Sequence, residues 1–313
     1  MTQESLKISE LVSIITVNYN GWKDTCELIA SLKRYEKYPY EIIVVDNASS
    51  GEDTKRILDE HPDVTLICSE KNLGFAGGNN LGCLQAKGKY LFFLNNDIVL
   101  KGPVLEPLVQ RLKDPSIGGV SPMIRGFYPP NDVQYYGHQK MTPVTLKHAT
   151  PPYDVLHPEK YVIDREVEVM HGAAMMLRRE VIEDVGMMSE VYFLFYEEFD
   201  WSYRILKRHY KIWYEPASVV FHKEGQTIRL ETPFREYYLT RGRVLFARRN
   251  LGGFYKIASC CYLAGIVMTR NMVKYLFHSK WKMLKATVAG TFSGLFCKKD
   301  DEVIHSGGKN KFK

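Results

Sequence analysis

Tyr90 to Leu100 reads YLFFLNNDIVL, an apolar run of strand length that is broken by Asn95, Asn96 and Asp97 and then resumes. Unpaired polar groups are costly in a core, so a buried strand ending in three adjacent oxygen-bearing side chains is shaped to present them to something. One recipient is a hard divalent cation carrying a phosphate, since Mg²⁺ and Mn²⁺ take oxygen ligands and are commonly held by one or two carboxylates plus substrate phosphates. The other reading is a plain strand-end turn, for which Asn and Asp are ordinary residues.

Upstream of this stretch the chain alternates. Val12 to Thr16 (VSIIT) is a β-branched run ending at Asn18-Tyr19-Asn20-Gly21, and Asp24 to Lys33 sets Cys26, Ile29 and Leu32 at helical spacing. Glu41 to Val45 is a second strand that stops at Asp46-Asn47, followed by a helix at Thr54 to Leu58 and a third strand at Val64 to Cys68. A further helix at Asn79 to Ala86 leads into the strand at Tyr90 to Leu94. Strands alternating with helices predict an α/β fold, a Rossmann-like and mostly parallel sheet with helices on both faces. Ligands of such sheets bind outside the carboxyl ends of the strands. Tyr19, Asp46 and Asn95 to Asp97 fall at those ends, so distant segments are expected to meet at one crevice.

Residues 126 to 165 hold Pro129, Pro130, Pro143, Pro151, Pro152 and Pro158 among Tyr and His. Such a segment cannot form a long helix and is a poor central strand, so a long, partly irregular excursion beside the crevice is expected. From Val169 an apolar strand runs through Leu177, then a helix from Arg179 to Val185, then FLFYEEFDWSYRILKRH. Glu197, Glu198 and Asp200 open this last helix and Arg204, Lys207 and Arg208 close it, as the helix dipole favours. The dipole accounts for one or two of the acids. It does not account for the aromatic residues around them, Tyr192, Phe193, Phe195, Tyr196, Phe199 and Trp201, which tend to raise a carboxylate's pKa toward that of a useful base. No internal repeat is present.

The chain of 313 residues, 45% hydrophobic and 25% charged, is globular and long enough to bury a sizeable core. Its six cysteines form no C-x-x-C and no His/Cys ladder of zinc spacing, which argues against a metal ribbon or a disulfide framework and for a reducing, cytosolic setting. The opening MTQESLKISE shows no secretory signal. The formal charge of +6 hides two opposite bodies: residues 241 to 313 carry fifteen Lys and Arg against three Asp and Glu, while residues 1 to 240 are net acidic. The division expected is therefore a catalytic-looking body over 1–240 and a basic helical region over 241–313 that meets an anionic surface.

At the ends of the first two strands, Tyr19 offers an aromatic face and Asp46 a carboxylate, a pair suited to stacking on and accepting from a pyrimidine. Packing by Tyr19 and a turn at Asp46 is the plainer alternative. The stretch Asn72, Gly74, Gly77, Gly78, Asn79 is glycine-rich and leads into a helix, which lets backbone amides approach a diphosphate. It is not the G-x-G-x-x-G directly after a first strand that a dinucleotide-binding dehydrogenase needs.

Taken in order, VSIITVNYNG, EIIVVDNASS, NLGFAGGNNLG, YLFFLNNDIVL, HGAAMMLRREVIEDVG and FYEEFDWSYR closely resemble the inverting family-2 glycosyltransferases of the GT-A fold, most of all the rhamnosyltransferase-like branch. The resemblance spans residues 11 to 250. It implies nucleotide-sugar contacts from Val17, Tyr19, Asp46, Asn72, Gly74, Asn79 and Asn96, with a dTDP-rhamnose-like or UDP-hexose donor. It implies that Asn95 and Asp97 stand for the family's metal-binding D-x-D and that His222 completes the site for Mg²⁺ or Mn²⁺. Asn95 departs from the stricter pattern, since an amide oxygen ligates without neutralising charge. Glu198 matches the general base of an inverting transfer, where relatives more often have Asp, and Glu197 or Asp200 compete for that role. His171, Gly172 and Ala173, with Glu197, Asp200 and Trp201, are implied to border the sugar and the acceptor, a hydroxyl of a surface-polysaccharide or lipid-linked glycan.

In the basic region, Ile257 to Thr269 and Ala286 to Cys297 are uncharged runs of 13 and 12 residues, short of the roughly 20 that span a bilayer. Basic flanks and interleaved aromatics suit helices lying on an anionic membrane, which places the protein in the cytoplasm, peripheral at the inner face of the cell membrane. A helical subdomain or a homo-oligomer contact is the alternative, and nucleic acid is not expected because no recognition motif accompanies the charge. Two competing functions remain. One is a catalytically weak or inactive nucleotide-sugar-binding protein of the same fold, motivated by Asn95 and by Glu at 198. The other is a nucleotidyltransferase, which needs an early glycine-rich basic loop where Asn18 to Lys23 offers only Gly21 and Lys23.

Overall fold

The computed structural model describes residues 10–130, 132–137, 141–147, 158–223 and 231–297. Among these residues ten strands form one sheet in the order β3-β2-β1-β4-β9-β6-β10-β5, with β7 on β6 and β8 on β10. Its first half is β1 (Val12–Asn18), β2 (Tyr40–Asp46), β3 (Thr65–Cys68) and β4 (Tyr90–Leu94), all parallel. The carboxyl ends of β1 and β2 pair in register, Asn18 opposite Asp46, so the loops that follow emerge side by side. The second half is mixed: β5 (Ile98–Leu100), β6 (Ile117–Gly126), β7 (Val133–Tyr135), β8 (Arg165–Val167), β9 (Ala174–Arg178) and β10 (Lys211–His222). β9 runs antiparallel to β4 with Ala174 opposite Leu94, which brings the turn before β9 against the loop after β4. The α/β architecture expected from the alternating pattern is present.

Helix α1 (Trp22–Tyr35) buries Cys26, Leu28, Ile29 and Leu32 at helical spacing, with Asp24 in its first turn and Lys33 and Arg34 in its last, where each sign suits the dipole. Helix α2 (Asp53–Glu60) follows β2 and α4 (Leu105–Leu112) follows β5. Between them, α3 (Gly74–Cys83) begins five residues before the expected start at Asn79, because the glycine stretch is itself helical. Glycine is a poor helix former, and tertiary packing overrides that here. A Cβ at Gly82 would lie 2.5 Å from Ile15, so only a bare backbone lets α3 rest directly on β1.

The strand expected from Val169 starts only at Ala174, since residues 171–173 turn back on themselves, with the Ala174 N–H donating to the His171 carbonyl at 3.0 Å. Helix α5 (Arg179–Val185) is where the sequence predicts it, and α6 (Glu197–Lys207) carries the three acids. In the proline-rich excursion, β6 reaches Gly126, β7 adds a short strand and Pro158–Tyr161 forms one 3-10 turn. Pro151 and Pro152 lie outside the described residues.

The helical region does not begin at 241. Helix α7 (Pro233–Asn250) runs unbroken through residue 240, started by Pro233 in its first turn and by Thr232, whose Oγ1 accepts from the Arg235 N–H at 3.2 Å. Its Val244, Leu245, Phe246 and Ala247 share a core with Val191 and Tyr192, so the helices are built onto the body. Helix α8 (Gly253–Cys261), a π-helical turn (Tyr262–Val267) and α9 (Met268–Phe277) follow end to end, and α10 (Trp281–Phe296) packs back against α7.

Candidate active site

The crevice is floored by a buried polar lattice at the ends of β1 and β2. Asn18 Nδ2 donates to Asp46 Oδ1 at 2.8 Å and to Asp53 Oδ1 at 3.1 Å, while its Oδ1 accepts from Thr25 at 2.8 Å. Asp46 Oδ2 takes the Ser49 N–H at 3.0 Å. Each oxygen of Asp46 thus accepts one bond and keeps a lone pair for a ligand. Tyr19 stands exposed at the same edge. Asn18, Thr25, Ser49 and Asp53 were not singled out in the sequence, because their role depends on contacts between separate loops.

A second lattice holds the glycine-rich segment. Asn47 donates through Nδ2 to Asn72 Oδ1 at 3.1 Å and to the Gly74 carbonyl at 3.0 Å, and its Oδ1 accepts from the Leu73 N–H at 2.8 Å. Asn72 Oδ1 also takes the Gly74 N–H at 2.8 Å. Val17 lies beneath, 2.9 Å from where a Cβ at Gly78 would stand, so it supports α3. Two expected nucleotide contacts are turned to the framework. Asn79 is buried with Nδ2 donating to the Phe75 carbonyl at 2.9 Å, inside its own helix. Asn96 Nδ2 donates to Thr25 Oγ1 at 3.1 Å, tying the loop after β4 to α1.

Asp97 is buried, and its Oδ1 has no hydrogen bond yet lies 3.3 Å from His222 Nε2. His222 Nδ1 sits 3.0 Å from Gln134 Oε1. An amide oxygen accepts, so Nδ1 donates to it, and in the tautomer with that proton alone the lone pair of Nε2 is turned toward the carboxylate. Two acceptors facing each other without a donor fit a shared cation, and the donor set, one carboxylate and one imidazole oriented by an outer partner, suits Mn²⁺ or Mg²⁺. Gln134 comes from the proline-rich excursion and was missed in the sequence. Asn95, partly exposed, is anchored by its N–H to the Ala173 carbonyl at 2.9 Å.

That bond links the loop after β4 to the neighbourhood of Glu198. Next to Ala173, a Cβ at Gly172 would lie 3.8 Å from Glu198 Cβ and Cδ. On the other side, the His171 ring stands 6.4 Å from that of His222, and its Nδ1 accepts from the Ala173 N–H at 3.2 Å. Residues 171–173 thus lie between the Asp97–His222 pair and Glu198. Burial pushes the Glu198 carboxyl up to about 7, against the pull of the backbone N–H groups of Glu198, Tyr196 and Phe199. Glu197 is buried with Oε2 unbonded, and burial first, then the charge of Glu198, drive its pKa well up.

Asp200 and Trp201, expected near the acceptor, are both buried in framework contacts. Asp200 is ion-paired to Arg204 at 2.9 Å and accepts from Tyr192 at 3.1 Å and Asn250 at 2.8 Å. The Trp201 indole N–H donates to the Gly186 carbonyl at 2.8 Å, and its ring meets Phe93 edge-on at 5.2 Å. Both hold α6 to the core.

The Glycosyl transferase family 2 model matches residues 13–186, more than half of the chain, and ends before Glu198. The chain is 25% identical over 291 residues to the low-salt glycan biosynthesis hexosyltransferase Agl10 of Haloferax volcanii, covering 91% of both chains. It is 25% identical over 253 residues to the dTDP-rhamnosyl transferase RfbF of Shigella flexneri, covering 75% of this chain and 79% of that one. Among solved structures it resembles GalNAc-T7 with UDP, GalNAc and Mn²⁺ at a TM-score of 0.65 and 18% identity, matching 92% of this chain and spanning only 56% of that one. It also resembles the mannosyltransferase PcManGT from Pyrobaculum calidifontis with GDP-Man and Mn²⁺ at a TM-score of 0.54 and 17% identity, covering 92% and 88%. The neighbours share the GT-A fold. With the sheet, the crevice and these matches together, the chain belongs to glycosyl transferase family 2 and is a glycosyltransferase.

Proposed function

We propose that the protein moves a rhamnose-like deoxyhexose or a hexose from a nucleoside diphosphate, such as dTDP or UDP, to a hydroxyl of a surface-polysaccharide or lipid-linked glycan at the cytosolic membrane face, with inversion. The observation that supports this reading is the bridge through residues 171–173, with His171 beside the Asp97–His222 pair and Gly172 beside the raised carboxyl of Glu198.

Tyr19 and Asp46 hold the base of the donor, and the backbone from Asn72 to Gly74 lies along its diphosphate. Asp97 and His222 would hold a divalent cation with Asn95 beside them, and such an ion would supply the positive charge that offsets the charge on a departing diphosphate. Glu198 takes the proton of the acceptor hydroxyl as that oxygen attacks the anomeric carbon from the side opposite the diphosphate, so the configuration inverts. Partial burial keeps Glu198 basic enough to accept the proton at neutral pH.

The test is turnover of dTDP-rhamnose and UDP-hexoses by Glu198→Gln and Asp97→Ala. Both are expected to lose transfer, Glu198→Gln with donor binding retained, and full activity in both overturns the roles. The binding-only alternative predicts nucleotide binding by the unaltered protein with no sugar released at any Mg²⁺ or Mn²⁺ concentration.

A further inference from the structure

The helices after α7 carry apolar surface outward as well as inward. From Gly253 to Phe277 the helical backbone is continuous through the π turn. Ser259, Leu263, Val267 and Tyr275 face the body, each buried. On the opposite side an exposed row runs from Phe254 through Ile257 and Cys261, across the small Gly265 and Thr269, to Val273 and Phe277, at three- and four-residue spacing. The extra residue of the π turn keeps this row in line. Aromatics mark both ends: Phe254 is 76% exposed beside Tyr255, and Phe277 is 84% exposed close in sequence to Trp281 at 58%.

Along these helices the chain itself carries charge of one sign. Residues 241–297 include ten Lys and Arg and no Asp or Glu. The arginines of α7 are spent internally, as with Arg241 on the Val191 carbonyl and Arg248 on the Gly294 carbonyl at 2.8 Å. Among the described residues, Lys256, Lys282 and Lys285 pair with no acid, while Glu231 is ion-paired to Lys280 at 2.9 Å and also lies near Lys274. No helix there is long and apolar enough to cross a membrane.

We propose that α8, α9 and the start of α10 form a docking face for an anionic lipid bilayer, with the Phe254–Phe277 row sunk into the headgroup boundary and the unpaired lysines on acidic headgroups. Apolar residues in a row, aromatics at its ends and cations without counter-charges are what an interfacial helix needs, and acidic lipid complements all of them. A second copy of the chain fits worse, because a twofold contact on this face sets lysines against lysines. This deepens the membrane-side placement proposed above by naming the surface, and it is independent of which sugar is moved.

The experiment is co-sedimentation of the full chain with vesicles of phosphatidylcholine alone and of phosphatidylcholine mixed with phosphatidylglycerol, across salt. Binding is expected to the mixed vesicles only and to weaken with salt. Phe254→Ser with Phe277→Ser should abolish it, and each of Lys274→Gln and Lys282→Gln should weaken partition by roughly fivefold. These side chains are exposed, so the variants keep the native fold, which an unchanged thermal midpoint checks. No binding to acidic vesicles, or binding that survives the Phe254→Ser/Phe277→Ser change, overturns the proposal. So does a dimer in solution that the same change dissociates. The assay reads partition and not turnover, so its failure leaves the transfer chemistry standing, and loss of transfer leaves it standing in turn.

Discussion

The Phe193 carbonyl accepts the Phe75 N–H at 2.7 Å, pinning the loop ahead of α6 and Glu198 to the first turn of α3. Phe193, Phe195 and Tyr196 all have positive φ, at 65°, 64° and 75°, a conformation costly for aromatic residues. The loop holds it where α3 grips it, so the glycine-rich segment and the start of α6 are mechanically one unit.

Gly74 is where that grip is tightest. With φ at 71° and a would-be Cβ only 2.2 Å from the Phe193 carbonyl oxygen, Gly74→Ala must move one loop or the other. A loss of about 1 to 3 kcal/mol of stability is expected, together with a raised donor KM, read by thermal denaturation and steady-state kinetics. Unchanged values in both would mean that the two loops are not coupled.

The pH profile follows from Glu198. Below its pKa of about 7 the carboxyl is protonated and cannot accept a proton, so kcat/KM should climb as pH rises through that value and then level. Glu198→Gln should cost on the order of 10²–10⁴-fold and erase this limb. A limb that persists in the Gln variant assigns the base to another group.

Gln134 acts through His222. Gln134→Leu removes the acceptor at 3.0 Å that orients the ring, and the Mn²⁺ or Mg²⁺ concentration for half-maximal activity should rise by roughly 10–100-fold, with full rate restored at saturating metal. A fall in rate that metal does not rescue would show instead that the excursion near β7 had collapsed.

Trp201 separates framework from site. Trp201→Phe leaves the Gly186 carbonyl without its indole donor, which should lower stability by about 1 to 3 kcal/mol while the acceptor KM stays put. A changed acceptor KM at unchanged stability would return Trp201 to the acceptor site.

Much of this architecture is legible in the chain alone. Alternating apolar strands and helices already place Tyr19, Asp46 and Asp97 at strand ends, because periodicity and turn chemistry are local properties. The sign change between body and tail is equally local, and it needs no coordinates. What the chain alone left open is which of Glu197, Glu198 and Asp200 meets the substrate. Each residue turns a helix by about 100°, so neighbours in sequence face different surroundings. Only packing shows Asp200 locked to Arg204 and Asn250, and Glu198 beside Gly172. The helical glycines of α3, the framework bonds of Asn79 and Asn96 and the bond from Gln134 to His222 were likewise decided by tertiary contact. Gln134 and His222 stand 88 residues apart, and no local pattern records a pairing made across that distance.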